Sequence, residues 1–222
     1  MVTECTMDDI LVIDSETTGL FERRNVVLQL GVVDGHGNIM IDAMYRPAHI
    51  QSWGGASRIH GIYPDDVREL QTFIQNKMNG RQRLESLMSD AKCIIGYNTS
   101  FDLTMLYNSG LRYEIPDTVQ IIDVMYDFAP VYGEYPDWLC GEAKWQKLCV
   151  AASYCNYKGN GAWHNAIADC KATLHVFRCM YQAGYYRNIL DILDFPYNIQ
   201  YSEISRQNAI RRAKFSNARV KS

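Results

Sequence analysis

Three short stretches of the 222-residue chain place acids, an amide and one imidazole at spacings that could do chemistry. In the first, Ile10-Leu11-Val12-Ile13 runs without alternation into Asp14-Ser15-Glu16-Thr17-Thr18-Gly19-Leu20. Such an apolar run suits a strand covered on both faces. A strand sends residues i and i+2 to one side, so Asp14 and Glu16 present two carboxylates together where the strand ends and Thr17-Thr18-Gly19 turns the chain. Two carboxylates aimed at one point call for a cation. By composition alone an Asp-x-Glu arises roughly once in a chain of this length, so the weight rests on what accompanies it.

The second stretch is a short apolar strand, Ala91 to Gly96, that leads to Tyr97-Asn98-Thr99-Ser100-Phe101-Asp102. The third is His164-Asn165-Ala166-Ile167-Ala168-Asp169, with its acid in the opening turn of a helix expected over Ala166 to Ala183. Residues five apart on a helix differ by about 140° in direction, so His164 and Asp169 can address one site only if the helix begins after His164. Gly159-Asn160-Gly161 supplies a loop just before it. Acids in a first helical turn also have an ordinary use, since they complement the helix dipole. That reading stands beside the catalytic one for Asp102 and Asp169, and Asn98 suits a helix cap as well as a substrate contact.

The elements that must position these groups follow from pattern. Asn25 to Val33 and Asn38 to Tyr45 read as a hairpin around Asp34-Gly35-His36-Gly37. Pro47 to Gly61 reads as irregular. Pro64-Asp65-Asp66 opens a helix with Val67, Leu70, Phe73 and Ile74 at helical spacing. A short helix after Asn98 is stopped by Gly110, and a strand over Thr118 to Met125 carries Asp123 near its end. Tyr126 to Trp145, aromatic and irregular, reads as a surface loop or broken helix; helices over Lys144 to Cys155 and Ala166 to Ala183 follow, with Gly184 as a stop. The order β-β-β-α-β-α-β-α-α implies an α/β fold, a mixed sheet of five strands flanked by helices with the first strand central.

Composition bounds the rest. A hydrophobic content of 47% suits one substantial domain. No apolar run approaches the roughly 18 residues of a membrane span, and the N-terminus lacks the basic start and apolar core of a signal peptide, so no membrane association and a cytoplasmic location are expected. Seven scattered cysteines without Cys-x-x-Cys read as reduced core residues. The formal charge of −3 argues against a protein that coats nucleic acid, but it is unevenly spread. Residues 186–222 hold seven Lys or Arg against three acids, which makes that segment +4 and the remainder −7. We therefore expect a catalytic body over 1–185 and a basic extension over 186–222. Ile189, Leu190, Ile192, Leu193 and Phe195 would pack the first half of the extension on the body. The rest would steer phosphates, bind a protein partner, or simply be solvated.

In these residues the chain resembles the DnaQ-like 3′-to-5′ exonucleases of the DEDDh type. The likeness spans about the first 185 residues. Its motifs are Asp14-Ser15-Glu16-Thr17-Thr18-Gly19-Leu20, Asn98 through Asp102, His164 through Asp169, and the smaller Ile59-His60-Gly61-Ile62. Trp145-Gln146-Lys147-Leu148 looks like phage and bacterial members, while Tyr97 stands where many members carry His. The resemblance implies a ribonuclease H-like fold and two Mg²⁺, for which Mn²⁺ can substitute. Asp14 would bridge both ions, Glu16 and Asp169 would hold the one that activates water, and Asp102 would serve the other largely through water. Two ions about 3.5 to 4 Å apart can stabilise both the attacking and the leaving oxygen of an in-line displacement, and four carboxylates suit a hard cation. His164 would take the proton from water near neutral pH.

The same resemblance implies that Leu20 wedges against the terminal base, with Ile59, His60 and Ile62 on the other side; for Ile59 and Ile62 core packing is the competing use. The backbone at Thr17 and Thr18 would approach the terminal ribose, and Asp123 would be a supporting acid rather than a ligand. The expected partner is the 3′ end of single-stranded DNA or RNA, released as nucleoside 5′-monophosphates. Two other readings remain: an accessory module that binds a polymerase or a nucleic-acid end with little turnover, and an endonuclease. The oligomeric state is left open.

Overall fold

The computed structural model describes residues 2–21, 24–159 and 163–195. In chain order it contains β1 (Thr3–Thr6), β2 (Ile10–Thr17), β3 (Val27–Asp34) and β4 (Ile39–Met44), then α1 (Gly54–His60), α2 (Pro64–Val67) and α3 (Arg81–Asp90). There follow β5 (Cys93–Gly96), α4 (Thr99–Ser109), β6 (Gln120–Asp123), α5 (Val124–Tyr132), α6 (Leu148–Tyr154), α7 (Ala166–Gln182) and β7 (Leu190–Leu193). Five strands form one mixed sheet in the order β4-β3-β2-β5-β6. β2 is antiparallel to β3 and parallel to β5, so the strand bearing Asp14 and Glu16 lies at the centre, as expected.

The unalternating apolar run of β2 follows from that position. Ile10 and Val12 sit in the cluster with Ile167, Cys170 and Leu174 of α7, whereas Leu11 and Ile13 sit in the cluster with Leu103 and Leu106 of α4. Both faces are therefore covered, and burial of each such side chain contributes roughly 1.5–3 kcal/mol. Continued up the strand, this parity turns Asp14 and Glu16 to the α7 side and Ser15 to the α4 side.

Several expectations are corrected. The helix begun at Pro64 ends at Val67, where Leu70 N–H donates to Val67 O in a tighter turn, and Arg46 N–H donates to Gln71 O beyond it. Two helices were not foreseen. Gly54-Gly55 opens α1 inside the stretch read as irregular, and the polar-rich Arg81–Asp90 forms α3, which buries only Leu84, Leu87 and Met88. The aromatic stretch begins in a regular helix, α5, whose N-terminal cap is the Asp123 carboxylate. The helix expected from Lys144 starts at Leu148. A second, two-stranded parallel sheet pairs β1 with β7, and Ile192 N–H donates to Tyr181 Oη at 2.8 Å. Leu190 and Ile192 are thereby buried at the chain's own N-terminus; the rest of the basic extension, 196–222, lies outside the described residues. All seven cysteines are unpaired, and five of them are buried.

Candidate active site

The three motifs converge where β2 ends. Glu16 is the next-to-last residue of that strand, His164 precedes α7, and Asp169 lies in the first turn of α7. A carboxylate oxygen of Glu16, a ring nitrogen of His164 and a carboxylate oxygen of Asp169 all lie within 4.8 Å of one another. α7 begins at Ala166, after His164, as the spacing required. His164 itself has left-handed backbone (φ 62°), and its N–H donates to Asp169 Oδ2 at 3.2 Å. Asn165 caps the helix by accepting from Ala168 N–H.

Two β3 residues set where α7 starts. Gln29, opposite Glu16 in the ladder, accepts from Ala166 N–H through its side-chain oxygen at 3.3 Å and donates to Asp42. Gly31, opposite Asp14, leaves room for the helix: a Cβ there would lie 2.6 Å from the Ala166 carbonyl carbon. Cys170 Sγ–H closes the packing against the carbonyls of Val12 and Gly31.

Asp102 arrives from the other side of the sheet on α4 and is almost fully buried. Ser15 Oγ donates to its Oδ1 at 2.6 Å, a bond made available by the odd parity of Ser15 on β2. The start of α4 is held by Asp123, whose two carboxylate oxygens accept from Asn98 N–H and Thr99 N–H at 3.0 Å. Asn98 occupies the cap position in left-handed backbone (φ 77°), but its side chain caps nothing; Asp123 does that work instead.

Burial pushes all four acids toward their protonated forms, and repulsion between carboxylates adds to it for Asp14, Glu16 and Asp102. Asp14 is raised well above the usual carboxylate range by burial, then by the charges of Asp102, Asp169 and Glu16. Burial raises Glu16 to about 7, with Asp169 adding to it. Burial raises Asp102 to about 8 against the lowering effect of the Ser15 hydrogen bond. Burial also raises Asp169 to about 6, opposed by the His164 N–H. Asp169 Oδ1 is buried with no hydrogen-bond partner. A group of acids that strain against ionisation, with one oxygen left unsatisfied, fits a divalent cation. Oxygen donors with one imidazole at hand suit Mg²⁺ or Mn²⁺. Glu16 and Asp169 would hold it, with Asp14 and Asp102 at its flank.

The expected substrate contacts divide. Leu20 is 77% exposed and Ile59 57% exposed, both free to meet a base. Ile62, expected on the same wall, is only 7% exposed: it packs with Leu28, Trp53 and Val67, and its carbonyl accepts from the Trp53 indole. His60 is a strut between segments, since its Nδ1 accepts from Ile62 N–H and its Nε2–H donates to Thr17 O. Thr17 Oγ1 donates to Gly19 O, and Thr18 Oγ1 donates to Asn25 Oδ1 while Thr18 N–H donates to Val26 O. The two threonine side chains thus fold the turn.

Sequence reasoning passed over Ser15, Gln29 and Gly31, and also Phe21, 80% exposed beside Leu20, and Trp163, exposed beside His164. A glycine inside a central strand is the signal that could have found Gly31, because it marks a close backbone approach. Strand parity could have found Ser15.

The family model RNase_T, described as an exonuclease, matches residues 11–177. A phage protein, the uncharacterized exonuclease CP81 of Escherichia phage 186, is 29% identical over 186 residues, which are 80% of this chain and 90% of that protein. Among solved structures, the zinc-bound form of E. coli exonuclease I with single-stranded DNA superimposes with a TM-score of 0.60 at 20% identity, over 81% of this chain and 42% of that one. Exonuclease I with a dT13 oligonucleotide gives 0.58 at 20% identity, over 81% and 44%. The likeness fixes the ribonuclease H-like fold; the chain spans less than half the length of exonuclease I.

Proposed function

The chain belongs to the RNase_T exonuclease family, and from that premise we propose that it trims single-stranded DNA or RNA from the 3′ end, releasing nucleoside 5′-monophosphates with two Mg²⁺ or Mn²⁺. The observation that carries this reading is the meeting of Glu16, His164 and Asp169 within 4.8 Å around an unsatisfied buried oxygen. Divalent cations held there supply Lewis-acid stabilisation of the developing charge and make water acidic enough to attack near neutral pH.

The chain's own groups do the remaining work. The ring of His164, exposed at the mouth of the site, receives the proton lost by the attacking water and returns it to solvent. Its backbone N–H bonds Asp169 Oδ2, and the other carboxylate oxygen, which has no partner among the described residues, would be the one to hold a cation. Glu16 sits near the end of a central strand, whose pairing on both sides fixes its backbone. Leu20 and Phe21 project from the turn that follows the acids, where an apolar edge can pack on the last base without reading it. A strand end packed against that edge, in the turn that directly follows the acids, is the reading we favour over cutting within a strand.

The direct test uses single strands labelled at the 5′ end, as DNA and as RNA, with a free or a phosphate-blocked 3′ hydroxyl. Stepwise shortening that stops with chelator, with the 3′ block and in Asp14→Ala is the expected result. Cleavage that persists in Asp14→Ala, or cutting of a closed circle, refutes the proposal.

A further inference from the structure

A second site lies at the other end of α4. A cleft of about 370 Å³ opens between the start of β3, residues 46–50 after β4, residues 72–74 and the C-terminal end of α4. Its lining includes Arg24, Arg46, His49 and Arg112, all exposed, together with the buried ring of Phe73, and no Asp or Glu among the described residues. In a chain whose net charge is −3, three guanidiniums around one opening is a concentration that composition does not supply.

None of the three arginines has a carboxylate partner among the described residues, whereas Arg68 and Arg81 elsewhere do. Arg46 Nε donates to Leu70 O and Arg112 Nη1 to Leu111 O, so each head group is anchored at one N–H with others left over. Glu85, the nearest acid in this hydrogen-bond pattern, takes the backbone N–H of Arg112 and not its guanidinium. The end of α4 brings roughly half a negative charge to the cleft, too little to balance three arginines.

Position says which anion fits. Asp102 and Ser109 lie on the same helix, Ser109 in the cleft wall and Asp102 at the candidate active site. The seven-residue separation corresponds to about 10 Å at 1.5 Å per residue. That is about three nucleotides at the 3.4 Å spacing of one stacked strand, and fewer for an extended one. The cleft also adjoins the turn that carries Leu20 and Phe21, since Arg24 and Val26 close that turn.

We propose that this cleft binds phosphates of the strand being trimmed, two to three nucleotides in from its 3′ end. The identity of the strand rests on the exonuclease reading; the affinity of the cleft for phosphodiesters does not. Arginine suits the task because its fork meets two phosphate oxygens at once. The sequence around it goes unread, as trimming requires.

The test measures binding without turnover: fluorescence anisotropy of 5′-labelled single strands of 2 to 12 nucleotides, in chelator, with full-length protein. Arg24→Gln/Arg112→Gln, both at exposed positions, is expected to weaken binding of the 12-mer at least tenfold. The slope of log affinity against log salt should fall by about 1.4, at roughly 0.7 per phosphate contact on a single strand. The loss should shrink as the strand is shortened and be least for the dinucleotide. Arg68→Gln, an exposed arginine outside the cleft, should match wild type at every length. Equal losses for the dinucleotide and the 12-mer, or an unchanged salt slope, overturn the proposal. So does displacement of the 12-mer by free nucleoside monophosphate at a Kd that the double substitution raises, which would make this a mononucleotide site. The two readings separate cleanly: absence of cleavage with this binding pattern intact removes the nuclease and keeps the cleft, and cleavage with a wild-type pattern in the double variant does the reverse.

Discussion

Helices α4 and α7 each carry an acid in the first turn beside the end of β2, and they hold those acids in opposite ways. Around Asp102 everything is tied down: Ser15 bonds its carboxylate, and Asp123 grips the two backbone N–H groups that start its helix. Around Asp169 the scaffold is fixed, by Gln29, Asn165 and the close approach at Gly31, but the carboxylate itself has one oxygen with no partner. The fold thus spends its hydrogen bonds on orienting one acid and on leaving the other available. A buried unsatisfied oxygen costs on the order of 1–3 kcal/mol. Its position beside Glu16 and His164 makes the α7 side the face that offers a cation an uncommitted oxygen, with the α4 side a preset support.

The largest effect expected from breaking this contrast is at Asp169. Asp169→Asn keeps the shape and puts a neutral amide where the free oxygen was. Trimming of a labelled single strand should fall at least about 100-fold, and calorimetric titration should show Mn²⁺ binding lost, with the circular-dichroism melt retained. His164→Ala separates the ring from the backbone. The N–H bond to Asp169 survives the change, so only proton transfer is removed, and kcat should drop by about 10²- to 10⁴-fold with little change in cation affinity. A loss of cation affinity as large as in Asp169→Asn would make the imidazole a ligand. Gly31→Ala tests the scaffold. The added methyl meets the Ala166 carbonyl, so α7 must back away from β3. A cost of about 1–3 kcal/mol in chemical unfolding is expected, with activity lowered and Asp102 untouched.

How far the sequence reveals this arrangement depends on range. β2 was legible because a central strand leaves a run of apolar residues that nothing else explains, and Asp14 and Glu16 follow from the period of two. The start of α7 was legible because His164 and Asp169 cannot share a helix and still share a site. The short helices were not: α1 opens on two glycines and α3 has a mainly polar sequence, so their existence depends on packing partners far along the chain. Ile62 shows the same limit, since Ile-His-Gly-Ile does not reveal that Trp53 and Leu28 will enclose it. Ser15, too, is read in the motif only as the residue between two acids. Its use depends on Asp102, 87 residues later, arriving on the opposite face.

A weaker but sign-specific effect is expected in stability against pH. A carboxyl whose folded pKa lies above its unfolded value near 4 stabilises the fold while it keeps its proton. That contribution is complete below about pH 4. It is lost as pH rises through about 6 for Asp169, 7 for Glu16 and 8 for Asp102. Metal-free protein should therefore melt at progressively lower temperature between about pH 5 and pH 8. Mg²⁺ or Mn²⁺ should restore the loss most at the alkaline end, and Asp102→Asn should flatten its upper part. A metal-free melting temperature that rises across this range would show that the acids are not held against ionisation.

The smallest expected effect is at Ser15, and it tests whether support on the α4 side matters once the α7 side is intact. Ser15→Ala removes a hydrogen bond to a carboxylate, worth about 1.5–3 kcal/mol when fully realised. It leaves β2 unbroken, because alanine keeps the strand's backbone pairing. The bond favours the ionised form of Asp102, so its loss moves that acid further above 8 and makes it give up its proton less readily. Because a cation must displace that proton, its apparent affinity at pH 7 should weaken by about tenfold or more, as that energy implies, and recover as pH is raised. The acid limb of the rate profile at subsaturating cation should shift upward accordingly. The donor to Asp169 is the backbone N–H of His164, which no substitution at Gln29 removes, so a matching shift cannot be produced from the α7 side at that position. A profile that moves equally for Ser15→Ala and for Gln29→Met would dissolve the distinction between the two helices, and one that moves for Ser15→Ala alone would fix it.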